Sequence, residues 1–385
     1  MSRLLEGLFY NWFMTKARQT QVSTFRDAWV EVNLDYLTQN VKAFKEYLPK
    51  DKKLLAVVKA DAYGHGAAMM LPTILSCKID MLGVASIDEA LDIRNAGAAC
   101  DILVLGAPPV WAFESAIQND ISISIFNDDH LEAAKQMYER TNIPVKAHVK
   151  VDTGMNRIGV RAEEAVEFIN KVQNLEYINL QGIFSHLANS DNEERTKIQL
   201  DKWENILSNV NTDGLLTHIF SCIGALSYNC TCNMIRLGGM IYGLNSPFPH
   251  SKKSPFEVKP ILGLKARISN IHKVKKGEGV SYSYNFIADR DMTVATIPIG
   301  YADGIDRRLS GKIYGYINDK KVNQIGNITM DQMMFDITDI EAEVGDIITL
   351  LDERISIEEW AEKLGTINYE LTCRLKVRLP RIYIR

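Results

Sequence analysis

Reactive side chains recur just after short apolar runs in this sequence. Lys59 lies in AVVKADAYGHG, Lys150 and Arg157 in HVKVDTGMNRIG, His186 in IFSHLANSD, Ser221 and Cys222 in HIFSC, and Arg236 in MIRLGG. A lysine that closes an apolar run can be discharged by burial, because the ammonium loses its solvation. A neutral amine is what a Schiff base requires. The same position also suits a lysine that snorkels to solvent. The residues after Lys59 favour chemistry: Tyr63 brings a hydroxyl that can donate to a phosphate oxygen, and Gly64 and Gly66 permit close backbone approach. Arg236 alone could close a barrel with a salt bridge, but the adjacent Gly238 and Gly239 point to a ligand.

Other reactive side chains carry weaker signals. Cys230-x-Cys232 has no second ligand pair at useful spacing, so a thiol pair is expected there and no metal site. His65, His148 and His218 sit near strand ends without a ligand pattern and are read as structural.

To converge, these residues need elements that end on one face. After a leading VEVN at 30–33, the sequence predicts eight strands: 54–59, 82–86, 102–106, 121–126, 145–151, 180–185, 218–222 and 234–238. Helix candidates lie between most of them. In 33–48, Leu34, Leu37, Val41 and Phe44 form one stripe. SIDEALDIRNAG opens with Ser86 and Glu89 at capping-box spacing and stops on Gly97, and 128–140 is another candidate. Eight strands alternating with helices predict a (β/α)8 TIM-type barrel, whose active face lies at the strand C-termini. A doubly wound sheet would usually carry G-x-G-x-x-G after its first strand, and none occurs. Beyond 256 the sequence changes to strands punctuated by Gly, Asp and Asn, with one helix candidate at 356–365. The expected domains are a barrel over 27–256 and a mostly antiparallel C-terminal β domain over 257–385.

Composition narrows the class further. With 44 Lys+Arg against 48 Asp+Glu in 385 residues, charge gives no reason to expect a nucleic-acid or anionic-membrane partner. Six scattered cysteines do not form a disulfide framework, which favours a reduced, cytoplasmic setting. The apolar stretch 4–14 is too short to span a membrane and has no small-residue cleavage site, so no signal peptide is expected.

The motifs taken together resemble one family. AVVKADAYGHG is similar to the cofactor-lysine motif of the fold-type III pyridoxal-phosphate enzymes, and specifically of the alanine racemase family. KVDTGMNRIG, RLGGMIYG, GVSYS, PIGYADG and NITMDQ resemble that family's other motifs in the same order, over roughly residues 27–385. The resemblance implies an isomerase that uses pyridoxal 5'-phosphate to interconvert L- and D-alanine, with D-alanine supplied for peptidoglycan. Lys59 would hold the cofactor and serve as one base, and Tyr282 in GVSYS would be the other. Tyr63, Gly238, Gly239 and either Ser221 or Cys222 would hold the phosphate, His186 would lie against the pyridine ring, and Arg236 would face its nitrogen. Arg157 and the backbone of Met330 would contact substrate, Lys150 would be carbamylated, and Tyr301 and Asp331 would line the entrance. A relay such as Arg157, His186 and Tyr282 would bring the tyrosine's pKa toward the working pH. The resemblance also implies a homodimer with shared active sites.

Four positions depart from the family pattern. Val377 stands where a tyrosine often shapes the pocket, and Asn327 and Thr329 stand where many members have Arg and Cys. The phosphate serine aligns ambiguously: counting from His218 selects Cys222, and counting back from Arg236 selects Ser221. A smaller residue at 377 opens serine or broad-specificity racemisation as an alternative. A non-catalytic pyridoxal-phosphate-binding barrel would lack the β domain and Tyr282, and a decarboxylase would be expected to carry a cysteine and acidic residues not seen here.

Overall fold

The computed structural model describes residues 25–229, 231–245 and 254–385; the stretch 4–14 and Cys230 lie outside the described residues. Two compact units divide the described residues, one within 33–261 and the other formed by 25–32 with 262–384. Strand β1 (Ala28–Asn33) buries Ala28, Val30 and Val32 on one face and pairs antiparallel with Leu262–Arg267. An alternating strand of this kind suits a sheet with one covered face, so the leading VEVN belongs with the β unit and not with the barrel.

Asn33 then caps the helix Leu34–Tyr47, its side chain accepting from the Tyr36 amide at 2.9 Å, and the predicted stripe Leu34, Leu37, Val41 and Phe44 is buried. The barrel strands come next: β2 (Lys53–Val57), β3 (Met81–Val84), β4 (Asp101–Val104), β5 (Ser122–Ile125) and β6 (Val145–Asp152). After the two-residue β7 (Val160–Arg161) come β8 (Ile178–Phe184), β9 (Leu216–His218) and β10 (Met234–Leu237). The eight predicted barrel strands pair in parallel in the order β10-β2-β3-β4-β5-β6-β8-β9. A Ser221–Arg236 bridge, with Asn233 N donating to Thr217 O at 3.0 Å, brings β10 back to β9 and closes the barrel.

The expected strand 54–59 stops at Val57, and Lys59 opens a helical turn, Lys59–Gly64. Ala60, Asp61, Ala62 and Tyr63 all have φ between 51° and 58°. Left-handed backbone costs L residues roughly 1–2 kcal/mol each, so four in a row need outside support. The Glu89 carboxylate gives it by accepting from Ala60 N (2.8 Å) and Ala85 N (2.7 Å). Only half of the expected capping box therefore forms: Ser86 Oγ accepts from Glu89 N, while the Glu89 side chain is diverted to the lysine turn.

The β unit continues with β11 (Leu262–Arg267), β12 (Asn270–Val274), β13 (Gly279–Val280), β14 (Phe286–Ile287) and β15 (Met292–Ile297). It ends with β16 (Tyr314–Ile317), β17 (Lys320–Ile325), β18 (Met333–Asp336), β19 (Ile347–Leu351) and β20 (Arg381–Ile384). One sheet takes in β1 and runs in the order β12-β15-β18-β17-β16-β19-β11-β1-β20, and its ladders from β12 to β1 are antiparallel. The helix expected at 356–365 is Ile357–Leu364, capped by Ser356 and closed by Gly365 at φ 65°. A second helix, Asn368–Arg374, has no counterpart in the sequence reading; it is seven residues long, and its N-cap makes no side-chain bond.

Candidate active site

Arg236 sits inward on β10, only 4% exposed, and its guanidinium makes five hydrogen bonds. NH1 donates to His218 Nδ1 (2.8 Å) and O (3.0 Å); NH2 donates to Ser185 O, His186 Nδ1 and Ile219 O, each at 2.8 Å. All five acceptors are neutral, so the salt-bridge reading of Arg236 falls. A guanidinium can only donate, so both imidazoles must accept at Nδ1 and carry their protons on Nε2. His218 Nε2 then donates to His148 Nδ1 at 3.0 Å. Burial first, then the Arg236 charge, pushes His148 down to about 3 and His186 and His218 well below their usual range. Arg236 itself is pushed down to about 10 by burial and stays charged at neutral pH.

One sequence expectation changes here, and another gains its partners. The guanidinium that meets His186 is Arg236, not Arg157, which is exposed on the loop after β6. His148 and His218, read as structural, form the hydrogen-bonded chain behind Arg236. The signal for them is a histidine at an inward position on each of two barrel strands, where a neutral ring needs a donor partner.

Lys150, also on β6, is a buried lysine. It is 4% exposed with Nζ 4.6 Å from the Phe184 ring centre, and burial, then Arg236 and Arg157, hold its pKa well below the usual lysine value. Lys59 is half-buried, with Nζ 6.0 Å from the Tyr63 ring centre.

The loop carrying Arg157 is tied down by buried Asp152. Its Oδ1 accepts from Gly154 N and Asn156 N, both at 3.0 Å, and its Oδ2 from Arg161 at 3.1 Å. Gln199, on the helix Glu193–Ser208, links this loop to the one carrying His186. Its Nε2 donates to Thr153 Oγ1 (3.1 Å) and His186 O (3.2 Å), and its Oε1 accepts from Ala188 N (2.9 Å). No local pattern marks Gln199, because its role depends on two loops distant along the chain.

Gly238 and Tyr63 define a small cradle at the strand ends. A Cβ on residue 238 would lie 2.9 Å from the Tyr63 hydroxyl, so a side chain there would fill the space that the hydroxyl faces. Gly238 N donates to Cys222 Sγ at 3.3 Å, and burial pushes that thiol up to about 11. Ser221, half-buried, caps the short helix Cys222–Ser227 without a side-chain bond to it.

Within the β unit, hydrogen bonds and ion pairs hold Tyr301, Thr329, Met330 and Asp331. Tyr301 N donates to Thr329 O and Ala302 N to Met330 O, both at 2.9 Å. Arg378 joins Asp331 (2.5 Å) to the fully buried Asp303 (2.7 Å), which also binds Arg26 at 2.6 Å. Tyr282 and Val377 are exposed in the single chain.

A parallel α/β barrel with a strand-end lysine, a buried arginine on neutral imidazoles and a glycine cradle, followed by an antiparallel β unit, defines the class of this protein. The models for the alanine racemase N-terminal and C-terminal domains match residues 32–246 and 261–383. An alanine racemase 1 of Clostridium acetobutylicum is 37% identical, covering 94% of this chain and 96% of its own length. The solved alanine racemase of Clostridium difficile 630 superposes with a TM-score of 0.89 at 34% identity, over 94% of this chain and 97% of that one. A histidine racemase from Leuconostoc mesenteroides gives 0.87 at 29% identity, over 94% and 99%. The chain belongs to the alanine racemase family.

Proposed function

We propose that this enzyme is a pyridoxal-phosphate-dependent amino-acid racemase with alanine as its first substrate. The observation that carries the reading is Arg236: a buried, charged guanidinium held among neutral acceptors, beside a neutral His186.

The residues present fit the cofactor. Lys59 would hold it covalently, and the Tyr63 hydroxyl and the Gly238–Gly239 backbone would hold its phosphate. Of the two phosphate candidates, Cys222 accepts from the Gly238 amide at Sγ, and Ser221 keeps its hydroxyl uncommitted to the helix cap. Pyridoxal phosphate, when bound, withdraws electrons from the substrate and acidifies its Cα proton. Arg236 would leave the ring nitrogen unprotonated, because a guanidinium does not readily give up a proton. Electron withdrawal is then weaker than beside a carboxylate, which favours returning a proton to Cα over diverting the substrate.

Racemisation must take a proton from one face of Cα and deliver one to the other. Lys59 Nζ would serve the D-face and Tyr282 Oη the L-face. Arg157 and the Met330 backbone would orient the substrate. Lys150, whose pKa burial holds well below the usual lysine value, would add carbon dioxide at Nζ with loss of a proton, and the resulting carbamate would hold Arg157 by charge-assisted hydrogen bonds. Lys59 and Tyr282 lie in different units, and we infer that a second copy of the chain completes each site in a homodimer. The setting proposed is cytoplasmic, with D-alanine supplied for peptidoglycan; among the described residues no helix is long and apolar enough to cross a membrane.

Val377 and the similarity to a histidine racemase support a second reading, a racemase accepting side chains larger than methyl. The cofactor assignment is tested by borohydride treatment of the yellow holoenzyme, then peptide mass analysis. The cofactor mass is expected on the peptide containing Lys59. A Lys59→Ala protein that still becomes modified at another lysine would overturn the assignment.

A further inference from the structure

Tyr282 sits in backbone that L residues rarely adopt. Ser281 has φ 68° and ψ −177°, a combination found almost only at glycine, and Ser283 and Tyr284 have φ of 64° and 47°. Conformations of this kind persist only where the surroundings over-determine them. The Tyr282 side chain is 72% exposed in the single chain, so packing within its own unit does little to aim it. Its direction is set by the turn.

One buried residue grips that turn from both sides. Asn327, 5% exposed, donates from Nδ2 to Tyr282 O at 2.7 Å and accepts at Oδ1 from Asn285 Nδ2 at 3.2 Å. Its backbone carbonyl accepts from Ser281 Oγ at 2.8 Å. The preceding residue must be glycine for this approach. Gly326 has φ 65°, and a Cβ there would lie 2.8 Å from Val280 O and 2.9 Å from Ser281 Cβ. A carboxamide presents a donor and an acceptor on one short side chain. An arginine at this position could donate to the Tyr282 carbonyl but could not accept from Asn285.

We propose that Asn327 is a positioning residue of this enzyme, whose carboxamide clamps the left-handed turn 281–285 and thereby aims the Tyr282 hydroxyl at the substrate. The proposal rests on the reading of Tyr282 as the L-face base. It assigns a task to a position that looked, in the sequence, only like a departure from the family pattern.

The test uses cofactor-loaded Asn327→Ala and Asn327→Asp enzymes, with Tyr282→Phe as the reference. Aspartate keeps the size of the side chain and the acceptor for Asn285, but sets a charged oxygen against the Tyr282 carbonyl, so it carries the test even where alanine impairs folding. Racemisation is measured in both directions with alanine deuterated at Cα. Both Asn327 variants should lose roughly tenfold to a hundredfold in kcat, the scale of a small misplacement of a reacting group, with little change in KM. The isotope effect should rise in the L-to-D direction, where Tyr282 removes the deuteron, and not in the D-to-L direction. Hydrogen exchange across 281–287, read by mass spectrometry, should quicken without a matching change elsewhere. Asymmetric isotope effects in Tyr282→Phe with wild-type behaviour in both Asn327 variants would overturn the clamp alone. Symmetric isotope effects in Tyr282→Phe itself would overturn the base assignment and the clamp with it.

Discussion

Replacing His148 with asparagine should flatten the acid side of the stability curve. In the fold His148 is fully buried, and its pKa falls from 6.5 to about 3, through burial first and the Arg236 charge second. The unfolded chain takes up this proton near 6.5 and the folded chain only near 3. Between those values the unfolded state holds more protons, so stability is lost as the pH falls through that window. At pH 5, about 1.5 below the unfolded value, the loss from this one residue is about 2 kcal/mol. His218 and His186 are lowered in the same direction, so the wild type should lose more than this in total. Asparagine places its carbonyl oxygen near the position of the imidazole Nδ1, where it can accept the His218 proton, and it does not titrate. Urea unfolding of the holoenzyme at about pH 7.5 and about pH 5, at matched protein and cofactor concentrations, gives the comparison. The variant should lose about 2 kcal/mol less than the wild type over that interval. Equal losses would refute the reasoning, since they would mean that His148 is not held neutral by the fold.

Gln199→Leu removes three hydrogen bonds between the Arg157 and His186 loops and should lower stability by about 1–3 kcal/mol in denaturant unfolding, with KM for alanine raised; an unchanged midpoint and KM would remove Gln199 from the site. Val377→Tyr should narrow the enzyme toward alanine, lowering serine turnover relative to alanine by an amount within the roughly 1–3 kcal/mol that one methylene discriminates; a wild type that already rejects serine as strongly would show that another residue closes the pocket. Mixing inactive Lys59→Ala subunits with Tyr282→Phe subunits, which keep only slow residual turnover, should restore activity well above that residual level under exchange, because one of the two hybrid sites would be intact; no recovery in demonstrated heterodimers would contradict a shared site.

The barrel was legible because its signals are local. Ser86 caps its helix as its spacing predicts, and apolar runs bounded by turn residues mark each parallel strand. Other features depend on tertiary partners. The left-handed turn at Ala60–Tyr63 relies on Glu89, and local propensity argues against it. The place of β1 in the antiparallel sheet is set by its pairing with β11, which no local pattern encodes. In the site, the residue types at strand ends picked out Lys59, Lys150, His186 and Arg236. The imidazoles lined up behind Arg236, His148 and His218, came only with the inward faces of β6 and β9, and Gln199 and Asn327 only with the loops they bind.

Chiral chromatography of L-alanine incubated with the cofactor-loaded protein reads racemisation by this chain without an intermediary. Progress to equal amounts of L- and D-alanine is expected, abolished in Lys59→Ala, with L-serine and L-lysine converted more slowly. L-alanine that stays in the L form in the presence of bound cofactor, or that is consumed to a different product, would contradict it.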